Sequence, residues 1–157
     1  MGDKISLSNR GMYFEEFEVG QRFTSRGRTV TETDIVSFAG LSGDYTQIHT
    51  DVEYSKNTSI GQRIAHGLLG LSIASGLAAQ TGVLEGTVIV FREITQWRFI
   101  KPIFIGDTIH VDLEVVGTKS LRRAGGGIVD IKLDVKNQDS DVAMRGIWSV
   151  LMASKPE

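Results

Sequence analysis

The run HGLLGLSIASGLAAQTG, residues 66–82, decides the fold. Leucine, isoleucine, alanine, glycine and serine follow one another beyond His66, and no charged residue marks a solvent side. A surface helix carries a polar face, so a helix of this composition has to be covered on most sides. Gly82 supplies the residue type best suited to a helix C-terminal cap. The spacing predicts a buried helix of about five turns over 66–82.

What covers it is read downstream. From Thr87 the hydrophobic period changes to two, in TVIVFREITQWRF (87–99), DTIHVDLEVVG (107–117), GIVDIKLDVKN (127–137) and VAMRGIWSVLM (142–152). Each run is bounded by Gly, Pro, Asp or Asn, and together they predict four successive antiparallel strands. Within DTIHVDLEV, His110 shares a face with Thr108, Asp112 and Glu114, opposite Ile109, Val111, Leu113 and Val115, and should therefore face solvent. RRAGGG, residues 122–127, reads as a hairpin turn, since no helix follows it to bind an anion. GQRFTSRGRTV (20–30) reads as an irregular first strand. One long buried helix with one early and four late strands gives an α+β domain in which a curved antiparallel sheet wraps a central helix.

Upstream, TVTETDIVSFAGLSG (29–43) carries helix signals. Thr31 caps, Asp34 stands three residues later in capping-box position, and Ile35, Val36, Phe38, Ala39 and Leu41 supply an apolar stripe that Gly43 ends. Residues 44–61 are polar and broken, with a short helical turn near Asp51–Lys56, and long excursions of this kind are more often functional than accidental.

At 157 residues the chain fits one domain, 1–157, with residues 1–10 as a flexible polar leader that lacks the apolar core of a secretory signal. No apolar run approaches the roughly 20 residues of a membrane span. The absence of cysteine excludes disulfides, thiolate metal sites and cysteine nucleophiles, and suits a reducing cytoplasm. With 17 basic and 19 acidic side chains and no basic block, no nucleic-acid partner is expected.

In SGDYTQIHTD (42–51), Asp44 and His49 stand five residues apart. That spacing puts them about 140° apart on a helix and on opposite faces of a strand, so regular structure cannot bring them together. A turn after Gly43 can, and Asp44, Tyr45, Thr46 and Gln47 permit one. Spacing alone reads as readily as a capping aspartate and a structural histidine.

FAGLSGDYTQIHTDVEYS, IAHGLLGLSIASGLAAQ and FIKPIFIGDTIHVDLEV together resemble the MaoC-like family of (R)-specific enoyl-CoA hydratases and 3-hydroxyacyl-thioester dehydratases, over about Tyr13 to Met152. The resemblance implies a hot-dog fold, and the family signature of Gly-Asp, variable residues, an aliphatic residue and His falls on Asp44, Ile48 and His49. Thr46-Gln47 stand where Asn-Pro is usual, which leaves the turn less rigid. The resemblance further implies that Asp44 and His49 act on one water, that the Gly67 backbone N–H serves as an oxyanion donor, and that Ser75 supports Asp44. It implies no cofactor beyond the coenzyme A or acyl carrier protein arm of the substrate, and at least a homodimer.

His66 reads as structural, as a helix cap or as a ligand contact. A metal site from His49, Asp51 and His66 matches no trusted zinc spacing, so no metal is expected. Arg63, Arg92, Arg98, Lys101, Arg122 and Arg123 are candidates for the phosphates of coenzyme A. A thioesterase on the same fold is disfavoured because residues 67–80 contain no acid. A non-catalytic acyl-thioester-binding subunit would be expected to lack one member of the Asp44–His49 pair.

Overall fold

Two short strands, β1 (Arg22–Thr24) and β2 (Arg28–Thr29), stand where one irregular strand was expected, and both pair with the same long strand further on. Ser25 bridges the gap between them: its N–H donates to Val111 O, and its hydroxyl accepts from Val111 N–H. The computed structural model describes residues 11–156, so the expected leader at 1–10 lies outside the described residues.

Helix α1 (Glu32–Ser42) begins at a capping box, with Asp34 N–H on Thr31 Oγ1 and Thr31 N–H on Asp34 Oδ2. It ends at Gly43, whose φ of +76° is the left-handed region that favours glycine. Of the predicted stripe, Ile35 and Ala39 are buried and Phe38 is half-buried, whereas Val36 and Leu41 face solvent. Two short helices follow, α2 (Gln47–Thr50) and α3 (Val52–Lys56), of which the sequence reading expected the second.

Helix α4 (Gly67–Ala79) is the predicted central helix, shorter than the run that foretold it: it stops at Ala79, and Gly82 turns the chain three residues later. Leu69, Ile73, Ala74, Leu77 and Ala78 enter one core with sheet residues such as Val111, Leu113, Ile131 and Val150. Full burial of a leucine- or isoleucine-sized side chain contributes about 1.5–3 kcal/mol, so these residues seat the helix. The expected covering on most sides does not occur within one chain. Leu68 is 61% exposed, and Ser72, Ser75, Gly76 and Ala79 are exposed with it. Small uncharged residues on that face made it look buried in the sequence.

The late strands are β3 (Val88–Phe99), β4 (Thr108–Leu121), β5 (Gly126–Lys136) and β6 (Val142–Ala153). They are antiparallel, but their order in the sheet is β1-β4-β5-β6-β3, with β2 beside β4. Strand β3 thus pairs with β6, as in Ile94 opposite Trp148, and not with its successor β4. The connection back to β4 crosses the start of α4, where Ala65 N–H donates to Ile103 O and Ile64 bridges Phe104. This crossing builds a floor beside the helix N-terminus. The β4–β5 connection predicted over 122–127 is made by residues 122–125, with Gly126 and Gly127 already in β5, and alternate burial along β4 leaves His110 on the outward face.

Leu77→Ala should lower unfolding free energy by about 2–5 kcal/mol in urea denaturation, and Leu41→Ala should stay within about 0.5 kcal/mol of the parent. Comparable losses for both would contradict the observed orientation of α1.

Candidate active site

Asp44 sits in the turn that Gly43 makes possible. Its carboxylate accepts from the Thr46 hydroxyl at 2.6 Å and from the Thr46 backbone N–H at 3.1 Å. The hydroxyl bond, then the backbone bond, hold the carboxyl below its ordinary range, with the neighbouring imidazoles His66 and His49 pulling weakly the same way. Asp44 is therefore a carboxylate, an acceptor only.

His49 is carried by α2, which turns its ring away from the outer surface. His49 Nδ1 lies 2.8 Å from Ile64 O. A carbonyl only accepts, so Nδ1 bears the proton and Nε2 of the neutral ring keeps its lone pair. The same reasoning applies to His66, whose Nε2 lies 2.9 Å from Asp44 O. His66 is buried, and its Nδ1 has no hydrogen-bond partner among the described residues. The His49 and His66 rings stack with centroids 3.9 Å apart and planes 27° apart. One side-chain atom from each of Asp44, His49 and His66 lies within 4.8 Å of the other two. The turn at Gly43 and the short helix after it thus bring together the two residues that spacing left apart, and His66 joins them.

A divalent ion needs lone pairs that converge on one point at about 2.0–2.1 Å, and an imidazole lone pair lies in its ring plane. Asp44, His49 and His66 offer ligand atoms within 4.8 Å of one another, and one nitrogen of each imidazole is already bonded to a backbone carbonyl. Asp51, the third member of the metal group considered from sequence, instead caps α3 by accepting from Tyr54 N–H at 2.9 Å.

Beside this cluster lies a cavity of about 470 Å³, lined mainly by apolar side chains such as Ile64, Leu68, Phe99 and Ile103, with His49 and Gly67 in its wall. The exposed Asp44 is adjacent to His49 and is not itself part of that wall. Gly67 opens α4, so its N–H has no acceptor within the helix and stands at the positive end of the helix dipole. A Cβ at Gly67 would meet Phe99 Cε1 at 2.7 Å, so glycine here lets an aromatic ring lie against the helix start. The expected contact of Ser75 with Asp44 does not form among the described residues. Ser75 is exposed on α4, and its hydroxyl donates to Ser72 O at 2.8 Å, the back-bond that a helical serine finds in its own preceding turn.

Among the basic candidates Lys101 lines the cavity, where it pairs with Asp141 at 2.8 Å, whereas Arg63 pairs with Glu32 at 2.6 Å. Three site contacts escaped the sequence reading. Thr46 had a usable signal, because a hydroxyl two residues after an aspartate favours a side-chain turn. Ile64 O and the His49–His66 stack join residues 15 and 17 positions apart, and no local pattern announces them.

Thr46→Val removes the hydroxyl and keeps the backbone donor. The Asp44 carboxyl should then titrate at higher pH in a ¹³C carboxyl NMR titration, while Thr46→Ser should titrate as the parent does. Because the folded-state pKa is the lowered one, the stabilisation from this carboxylate is present above the unfolded value. It is lost as pH falls through the folded value, so Thr46→Val should begin losing it at higher pH. An unmoved titration would contradict the bond.

The model of the MaoC like domain matches residues 16–137. Protein MaoC of Klebsiella aerogenes is 42% identical over 101 residues, 64% of this chain and 30% of that protein. The (R)-specific enoyl-CoA hydratase of Rhodospirillum rubrum is 34% identical over 105 residues, 67% of this chain and 70% of the relative. The match therefore spans less than a third of the first relative and just over two thirds of the second. Among solved structures, a monoamine oxidase regulatory protein from Archaeoglobus superposes with a TM-score of 0.87 at 41% identity, over 94% of this chain and 97% of that one. A Mycobacterium tuberculosis protein with a double hot-dog fold superposes with a TM-score of 0.82 at 19% identity, over 94% of this chain and 46% of that one, a likeness of fold alone. The curved sheet on its helix is the hot-dog fold, and a family model that spans most of the sequence places the chain in the MaoC-like dehydratase family.

Proposed function

We propose that this protein is an (R)-specific enoyl-CoA hydratase and 3-hydroxyacyl-thioester dehydratase, adding water reversibly to a trans-2-enoyl thioester without a cofactor. The observation that carries the reading is the pairing of an ionised Asp44 with a His49 whose Nε2 is left free, at the edge of an apolar cavity that Gly67 also lines. The names of relatives such as the Rhodospirillum rubrum hydratase support the substrate class and the (R) stereochemistry.

In the hydration direction, one water donates to the Asp44 carboxylate and to His49 Nε2. A carboxylate is ordinarily a weaker base than a neutral imidazole, so Asp44 orients the water and the proton goes to Nε2. As the O–H bond breaks, the oxygen bonds the β-carbon and the π pair moves to the α-carbon and the thioester oxygen, which accepts from the Gly67 N–H. His49 returns the proton to the α-carbon, and dehydration runs through the same steps in reverse. A cavity of about 470 Å³ holds an acyl chain within the usual size range of such sites. Lys101 at its wall is the cation best placed to meet an anionic carrier.

The working unit we propose is a cytoplasmic homodimer. Among the described residues no helix is long and apolar enough to cross a membrane. Strand β3 pairs with β6 along one edge, and Val88, Ile89, Val90, Phe91 and Ile94 are exposed along it. An apolar strand at a sheet edge is a template for association, and the open face of α4 adds to it. Gel filtration should give at least a dimer, and a monomer would contradict this.

Crotonyl-CoA absorbance at its enoyl band should fall with the parent protein. Asp44→Asn and His49→Ala should each slow the loss by about 10²–10⁴-fold while circular dichroism stays unchanged. Release of free thiol would point to a hydrolase, and silence over a ladder of enoyl thioesters would point to a binding subunit; either result overturns the proposal.

A further inference from the structure

The chemistry above uses Asp44, His49 and Gly67 and gives His66 no task. Yet His66 is 2% exposed and contacts both Asp44 and His49. As the N-cap residue of α4 it makes no side-chain cap bond to its own helix. Its ring reaches back instead, and Nε2–H donates to the backbone carbonyl of Asp44 at 2.9 Å. One ring face stacks on His49 with centroids 3.9 Å apart, and Phe38 tilts against the ring at a centroid distance of 5.0 Å. Its Nδ1 is buried and has no partner among the described residues.

A buried polar atom without a partner is uncommon and calls for a reason. Packing does not supply one, because phenylalanine would fill this space with no orphan nitrogen. Capping does not supply one either, because the cap bond is not made. What only an imidazole of this size offers here is a donor and a flat aromatic face in one side chain. Phenylalanine has the face without the donor, and glutamine has the donor without the face. The Asp44 loop needs the donor and His49 needs the face.

We infer that His66 is a positioning residue, which fixes the separation of Asp44 and His49 by bonding the backbone of one and stacking on the ring of the other. It does so from the residue immediately before Gly67, so the carboxylate, the imidazole and the helix N–H share one reference point. His66 acts through its neighbours and does not itself touch the reacting atoms. This inference rests on the proposed hydratase reading for its kinetic consequence, but its geometric content does not depend on turnover.

The test uses the full chain with His66→Phe and His66→Gln, read by crotonyl-CoA kinetics, by ¹⁵N NMR of the His49 ring, and by thermal unfolding. Each variant should lose about tenfold or more in kcat with KM within about twofold, because a misplaced acid–base pair affects the reaction step more than binding. Each should also move the His49 ring ¹⁵N shifts away from the parent's, and His66→Phe should move them less because it keeps the stacked face. Parent-like His49 shifts in both variants would overturn the inference, whether or not the parent turns over crotonyl-CoA. Unfolding of both variants would overturn it too, since the ring would then hold the fold. A parent protein that is inactive on every enoyl thioester, with His49 shifts that still respond to His66, would sink the hydratase reading and leave the positioning role standing.

Discussion

The hydrogen bond from His49 Nδ1 to the carbonyl of Ile64 is the constraint on which the site depends. It assigns the proton of the neutral ring to one nitrogen and leaves the other free to accept. Ile64 lies just before the helix start, and its neighbour Ala65 is itself tied to Ile103 in the segment that crosses from β3 to β4. The non-sequential strand order is therefore connected to the site. Because β3 pairs with β6 and not with β4, the chain has to pass back beneath the N-terminus of α4, and that passage supplies cavity wall and backbone anchor together.

Much of the architecture was legible from periodicity. The change to a period of two after Thr87 located the late strands, and the buried residues of β4 fall where alternation put them. The Thr31–Asp34 capping box and the Gly43 stop bracketed α1 because both rest on local backbone chemistry. The order of strands was not legible, since alternation says which face is buried and nothing about which neighbour pairs. Nor was the open face of α4: serine, glycine and alanine fit a buried seam and an uncovered one equally well.

The site was legible in part. Residue types and a resemblance picked out Asp44, His49 and Gly67, and the structure brings Asp44 beside His49 and puts His49 and Gly67 on one cavity wall. Ser75 stands apart from Asp44 among the described residues, because a helical serine on the outer face bonds its own preceding turn. The replacement of Asn-Pro by Thr46-Gln47 seemed from sequence to loosen the loop. Thr46 offsets this by donating to the Asp44 carboxylate from both its hydroxyl and its backbone N–H, so a local side-chain turn does the fixing that a proline ring does elsewhere.

Orientation at the acidic turn and tautomer at the histidine thus come from separate bonds, one local and one long-range, and the cavity walled by His49 and Gly67 is where a thioester would lie. A crystal structure of the protein with a bound 3-hydroxyacyl-CoA tests this most directly. The β-hydroxyl should sit about 3 Å from both the Asp44 carboxylate and His49 Nε2, with the thioester oxygen facing the Gly67 N–H. An acyl chain seated away from that cavity, or a β-hydroxyl remote from His49 Nε2, would contradict the mechanism.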